Sequence, residues 1–311
     1  MGVGIDRYTP EPSDDRHPVA WLGRGLLAVE KVTYRDHKAA GVAHTAVAVL
    51  GATAATTAAR RAASRLPGGE LLVTALFSWA SSGGQMLGDV ALEIAEHLST
   101  GDIEGARQLL PHLVGRDPST LDEAQICRAV VESVAENTVD AATSVVLYGA
   151  SFGATAIWVH RTINTLDAMV GHRSLRYNNF GWASAKADDA ANWIPARLSV
   201  IAVAMAAHFS ADIEVSPSAV IGAASTHGDD HPSPNGGQIE AAFAGALGVS
   251  LGGTNVYEGR TETRGTLGCG PPPGAADITR AINLSRRTVE VLTATTLAGV
   301  LVEIAIRSFK R

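Results

Sequence analysis

The chain has 311 residues, 46% of them hydrophobic and 18% charged, with a formal net charge of −6. Soluble domains carry about a quarter charged residues, so the balance leans apolar, and the acidic surplus excludes the general basic field that nucleic-acid binding requires. The two cysteines, Cys127 and Cys269, lack metal-site spacing and read as buried or incidental thiols, and the polar run up to His17-Pro18 holds no apolar signal-peptide core.

In chain order, the stretches 42–59 and 71–87 are apolar and rich in Ala, Gly, Thr and Ser. Each is close to the roughly 20 residues a membrane helix needs. Small residues suit close helix packing in a bilayer, and equally a soluble Ala-rich bundle. Arg60, Arg61 and Arg65 follow the first stretch. Pro118-Ser119-Thr120 then precede a helix predicted over 121–131, with Asp122 as N-cap and Gln125 completing a capping box.

That helix leads into Glu-Ser-Val-Ala-Glu-Asn-Thr-Val-Asp at 132–140. Glu132, Glu136 and Asp140 are spaced i, i+4, i+8 on one helical face, with Asn137 beside them. Three acids on one face repel one another unless a cation joins them. Mg²⁺, held by a few carboxylates and substrate phosphates, would do so. The alternative is a solvated face with Arg128 paired to Glu132.

A third apolar stretch, 143–159, contains Gly149 and Gly153 and is followed by Arg161. His160, Asn164 and Asp167 share a face at i, i+4, i+7, and Gly171 can end their helix. Arg173 and Arg176 come next, suited either to gripping phosphate or carboxylate or to compensating the helix dipole. Asp188-Asp189, with Asn192 one turn on and Lys186 nearby, is a further acid–amide cluster. Paired aspartates bind metal–phosphate, cap helices or form surface pairs.

The fourth apolar stretch is 194–209. Residues 211–274 read as loop-rich, ending in Pro271-Pro272-Pro273-Gly274 with a helix from Ala275. Within them, His231-Pro232-Ser233-Pro234-Asn235-Gly236-Gly237 and Leu251-Gly252-Gly253-Thr254-Asn255 are Gly-rich turns that either bring backbone N–H groups to an anion or are plain loops. The fifth apolar stretch, 289–306, precedes Arg307, Lys310 and Arg311.

No period-2 strand pattern and no internal repeat is visible, so the expected fold class is mainly α. The expectation is a polytopic membrane helical bundle with Ala/Gly-rich helices and helical or loop-rich extramembrane segments. Residues 1–311 form a single domain in this reading, with a polar segment at 1–16 and a loop-rich insertion at 211–274. If all five stretches spanned, the arginine clusters would share one face, the cytoplasmic one by the positive-inside bias. The blocks at 132–140 and 164–167 would then lie on opposite faces, so 143–159 is expected to be re-entrant or covered by protein. Phosphate-loop, dinucleotide-fingerprint, zinc and nucleophile-elbow motifs are all missing from the sequence.

Taken in order, the polar blocks resemble the adenosylcobinamide-phosphate synthase family of cobalamin biosynthesis, CobD/CbiB. The matching residues are His17-Pro18-Val19 with Gly23-Arg24, Gly115-Arg116-Asp117, 132–140, Asn-Thr-Leu-Asp-Ala-Met-Val-Gly at 164–171, Phe-Gly-Trp-Ala-Ser at 180–184 leading to Asp188-Asp189, Asn-Trp-Ile-Pro-Ala-Arg at 192–197, His-Pro-Ser-Pro-Asn-Gly at 231–236, 240–247, and Leu251-Gly252-Gly253. Family members open with an apolar segment where this chain is polar, which leaves the span count open, and His172 stands where the family has tyrosine.

The resemblance implies a multi-pass enzyme of the cell membrane that joins a carboxylate of adenosylcobyric acid to aminopropanol or its O-phosphate through an amide bond. It implies ATP as co-substrate and Mg²⁺, with the corrinoid, the aminopropanol phosphate, the lipid bilayer and other cobalamin-pathway enzymes as partners. A carboxylate must be activated before an amine attacks it. Phosphoryl transfer to it calls for carboxylates on a metal and cations on phosphate oxygens. On that basis Glu132, Glu136, Asp140, Asp167 and His231 are expected to be catalytic, His231 accepting a proton from the amine. Glu136, Asp140, Asp188 and Asp189 are the expected metal ligands. Asn137, Asn164, Arg173, Arg176, Lys186 and Asn235 are expected to hold substrate or phosphate. The competing reading is a membrane corrinoid-binding or transport protein without ligase activity.

Overall fold

The computed structural model describes residues 17–172, 174–257 and 260–309. It is mainly helical, as expected. Twelve α-helices are described: α1 (Pro18–Thr33), α2 (Lys38–Ala63), α3 (Gly69–Ser81), α4 (Gly84–Ser99), α5 (Ile103–Leu109), α6 (Glu123–Thr138), α7 (Ser144–Phe152), α8 (Ala154–Leu166), α9 (Trp182–His208), α10 (Pro217–His227), α11 (Gly236–Leu247) and α12 (Ala275–Phe309). Two π-helical turns, Val139–Thr143 and Asp167–Gly171, follow α6 and α8. Two 3₁₀ turns, Leu110–His112 and Gly228–Asp230, and a hairpin of β1 (Leu251–Tyr257) and β2 (Arg260–Leu267) complete the described elements. The chain divides into two compact units, Met1–Gly83 with Asp140–Asn192, and Gly84–Val139 with Trp193–Arg311.

Small residues build the first unit. Ala48, Ala52 and Ala63 of α2 each enter small clusters with residues of α8 (Leu166, Trp158 and Ala154). His17 and Pro18 form the N-terminus of α1: the His17 ring accepts a hydrogen bond from Val19 N–H at 3.2 Å, and Pro18 occupies the first helical turn, where no amide partner is required. At the other side of α2, Phe180 is fully buried with Ala40 and Val170.

The second unit has one large core. Ile94, Ile126, Val130, Phe243, Leu267 and Ile278 have no solvent exposure in it, and each such side chain contributes roughly 1.5–3 kcal/mol relative to exposure. The start of α6 is as expected: Asp122 accepts from Gln125 N–H at 2.8 Å while the Gln125 side chain accepts from Asp122 N–H at 2.9 Å. Cys127 lies within this core, where burial pushes its thiol up to about 12; Cys269 is exposed.

Several expectations need correction. Of the five apolar stretches, three lie in helices long and apolar enough to cross a membrane: α2, α9 and α12. The stretch 71–87 is interrupted at Ser82-Gly83, between α3 and α4. The stretch 143–159 breaks at Gly153, whose φ of +73° ends α7 and starts α8. That angle is one only glycine adopts readily. Residues 211–274 are more ordered than a loop-rich reading allows, holding α10, α11 and the hairpin. The hairpin is antiparallel with Leu251 opposite Leu267, and its register shifts between Gly252 and Thr254. The glycines that read as loop punctuation mark a bulge there. Arg161 is half-buried and donates to Asn164 Oδ1 at 3.3 Å.

Candidate active site

Glu132 and Glu136 lie on α6, and Asp140 lies in the π-turn Val139–Thr143 that follows it. Glu132 is buried and fully occupied. It forms a short ion pair with the buried Arg116, accepts from Gly252 N–H at 2.7 Å, and lies 3.9 Å from Arg128 Nε. This accounts for the Gly115-Arg116-Asp117 block and for Leu251-Gly252-Gly253: both supply partners to Glu132. The Asn137 side chain donates to the Ser133 carbonyl at 3.0 Å, within its own helix.

Asp140 belongs to a polar cluster in the first unit. Asn164 donates to Asp140 Oδ2 at 2.9 Å and to Asp188 Oδ1 at 3.4 Å. Asn192, with 1% exposure, is the hub. Its amide nitrogen lies 3.1 Å from Asp140 Oδ1 and from both Asp188 oxygens. Its carbonyl oxygen meets His160 Nε2 at 2.8 Å and Ser144 Oγ at 3.2 Å. An amide carrying two acids on one end and two hydroxyl or imidazole donors on the other can be oriented only one way. Two carboxylates are thereby held side by side, with oxygens of both converging on one nitrogen. Such a hard all-oxygen pair suits Mg²⁺, which takes one or two carboxylates and completes its shell with phosphate and water.

Asp189, the second aspartate of the pair, meets Lys186 Nζ at 2.7 Å. Asp167 opens the second π-turn, and its carboxylate folds over Gly171, where any Cβ would stand 1.8 Å from Oδ1. Arg176 is exposed and tied to the buried Glu30 at 3.0 Å, with its guanidinium 4.2 Å above the Tyr34 ring. Arg173 lies outside the described residues.

A separate polar centre lies in the second unit. His231, at the turn before α11, places one ring nitrogen 3.4 Å from Glu240 Oε1 and 2.9 Å from Arg264 Nη1. Glu136 of α6 joins them. Burial, then the nearby Arg264 charge, holds the His231 imidazole below its ordinary value. Burial, with the charges of Glu136 and Glu132, pushes the Glu240 carboxyl well above the usual carboxylate range. Asn235 accepts from Arg197 Nη1 at 2.8 Å, and that guanidinium stacks 4.5 Å from the Trp193 ring.

Sequence reasoning assigned roles to Asp140, Asn164 and Asp188, and none to Asn192, His160, Glu240 or Arg116. The i, i+4 spacing of Asp188 and Asn192 was the available signal for the first of these. Nothing local in the sequence marks Glu240, which sits in an Ala-rich helix.

Comparison with known proteins agrees with the order of blocks. The family model CobD/Cbib protein matches residues 1–285. A Mycobacterium tuberculosis protein named cobalamin biosynthesis protein CobD is 44% identical over 277 residues, covering 87% of this chain and 85% of that protein. Proteins of the same name from Geobacter metallireducens and Rhodobacter capsulatus are 39% identical over 270 residues (86% of this chain, 84% of that protein) and 37% identical over 283 residues (89% and 87%). No solved structure matches. With the family model and these relatives spanning most of its length, the chain belongs to the CobD/CbiB family.

Proposed function

We propose that this chain acts in cobalamin biosynthesis as a multi-pass membrane ligase that joins a carboxylate of adenosylcobyric acid to (R)-1-amino-2-propanol O-phosphate, or to the free amino alcohol, at the expense of ATP. The observation that carries the reading is the family membership together with the pair Asp140–Asp188, held convergent by Asn164 and Asn192. Exposed apolar side chains on the three long helices support the membrane assignment, among them Leu50, Ile194 and Leu301.

The reaction has two stages in this reading. Phosphoryl transfer from ATP to the corrinoid carboxylate gives an acyl phosphate, and the amine then attacks the acyl carbon, loses a proton and expels phosphate. Asp140 and Asp188 would hold Mg²⁺, which when bound neutralises phosphate charge. Asn164 and Asn192 fix the two carboxylates so that they need not reorganise as charge moves. His160 and Ser144 in turn fix Asn192.

The test is turnover. Detergent-extracted protein is given adenosylcobyric acid, aminopropanol phosphate, ATP and Mg²⁺, and the amide product is sought by mass spectrometry. ATP-dependent product that disappears in Asp188→Asn supports the ligase. Saturable corrinoid binding without product, under conditions where a working relative makes it, supports a binding or transport protein instead.

A further inference from the structure

Glu240 occupies a costly position for a carboxylate. It is fully buried on α11, between Ile239 and Ala241, and neither of its oxygens accepts a hydrogen bond. A buried carboxylate is strongly unfavourable unless a cation or a proton meets it. Facing it are Glu136 and His231, and one donor atom from each of the three residues lies within 4.8 Å of the other two. The His231 ring is held by backbone at Nδ1, which lies 3.0 Å from the Ser233 amide nitrogen and 3.2 Å from the Ser233 carbonyl oxygen. Arg264 Nη1, a donor 2.9 Å from Nε2, meets a lone pair there, on the side of Glu240. Gly236 keeps the floor bare, since a Cβ there would stand 3.1 Å from Glu136 Oε1 and 3.3 Å from His231 Cε1.

Charge points the same way. Glu132 is matched by Arg116, so Glu136 and Glu240 remain, with Arg264 contributing a positive charge at His231 Nε2. One imidazole nitrogen and two carboxylate oxygens form a three-ligand set with room for an exchangeable ligand, as in catalytic zinc sites. Imidazole favours zinc or manganese-class ions over Mg²⁺ and Ca²⁺, which prefer oxygen alone.

We propose that Glu136, His231 and Glu240 bind a divalent transition-metal ion of the zinc or manganese kind. The site stands apart from the ligase reading: it uses other residues than Asp140 and Asp188 and another class of ion, and its test needs neither corrinoid nor ATP. The bound ion would take the Nε2 lone pair now met by Arg264.

The experiment is a titration of the full-length purified chain, stripped with chelator, using Co²⁺ as a spectroscopic probe and Zn²⁺ as competitor. Visible absorption of Co²⁺ should saturate at about one equivalent per chain and be erased by Zn²⁺. His231→Gln and Glu240→Gln should each weaken binding by at least the roughly 10- to 100-fold that loss of an outer-sphere partner costs. Arg264→Gln should tighten it. Cys269→Ser should leave it unchanged, which separates this site from the Cys269–His227 pair, whose sulfur and Nε2 lie 3.6 Å apart. Absence of saturable binding overturns the proposal, as does binding that survives His231→Gln or is lost in Cys269→Ser. Should Glu240→Gln fail to fold, Glu136→Gln on the partly exposed wall of the site decides in its place.

Discussion

Replacing Arg116 with methionine is the sharpest test of what Glu132 does. Both side chains are buried, at 6% and 3% exposure, in a direct ion pair. Removing one partner of such a pair leaves an uncompensated charge and costs about 3–5 kcal/mol. Two contacts soften the loss: Gly252 N–H remains 2.7 Å from Oε1, and Arg128 Nε remains 3.9 Å away. The expectation is therefore the lower end, about 3 kcal/mol, or a fall of roughly 6–12 °C in Tm. Adding Glu132→Gln to Arg116→Met removes the stranded charge and keeps an acceptor for Gly252. The double variant should recover to within about 1–2 kcal/mol of the parent. Thermal unfolding in detergent reads stability, and the amide-forming assay is run on the same samples. If Glu132 only braces the hairpin against α6, the double variant retains turnover within about an order of magnitude. A Tm shift below about 2 °C for Arg116→Met would refute the energetic argument. A stable double variant devoid of turnover would return Glu132 to the catalytic role its spacing first suggested.

The polar hub should be intolerant of charge: Asn192→Asp sets a third carboxylate between Asp140 and Asp188, and turnover should drop by roughly 100-fold, the scale of a misplaced reacting group, with product formation as the readout. Asp188 and Asp189 should separate cleanly in the same assay. Asp188→Asn should lose roughly 100-fold or more, whereas Asp189→Asn, which weakens the pair with Lys186, should cost far less, within about an order of magnitude. In metal-free protein the Glu240 carboxyl is raised when folded, so stability should fall as pH climbs above its unfolded value of 4.5, and Glu240→Gln should flatten that fall in pH-dependent melts. The lowered His231 works in the other direction, removing stability as pH drops below 6.5. Finally, alkylation of the native chain near neutral pH should label Cys269 and spare Cys127, whose thiol is buried and pushed up to about 12; labelling of both at similar rates would contradict the packing around α6.

What could be read from the sequence follows the range over which each signal acts. The capping box at Asp122 and Gln125 and the helix start at Ala275 depend on neighbours within a turn, and both stand as expected. The three long apolar helices were visible because hydropathy accumulates along one segment. The π-turn Val139–Thr143, which follows Glu136 and holds Asp140, departs from the 3.6-residue periodicity on which the shared face was read. The hairpin was hidden for a related reason. Thr254, Val256, Thr261 and Thr263 are good strand residues, yet Gly252 and Gly253 in the bulge carry the same letters as a loop. Partnerships between distant residues were beyond reach altogether. Arg116 with Glu132 and His231 with Glu240 are settled by how helices, turn and strand converge, and no spacing rule encodes that. Asn192 falls between the two cases. Its distance from Asp188 was legible, but its role comes from Asp140 and His160, which lie 52 and 32 residues away in the chain. An amide needs partners on both ends to be worth burying, so a buried asparagine beside an aspartate is a better indicator of an organised polar centre than a row of acids.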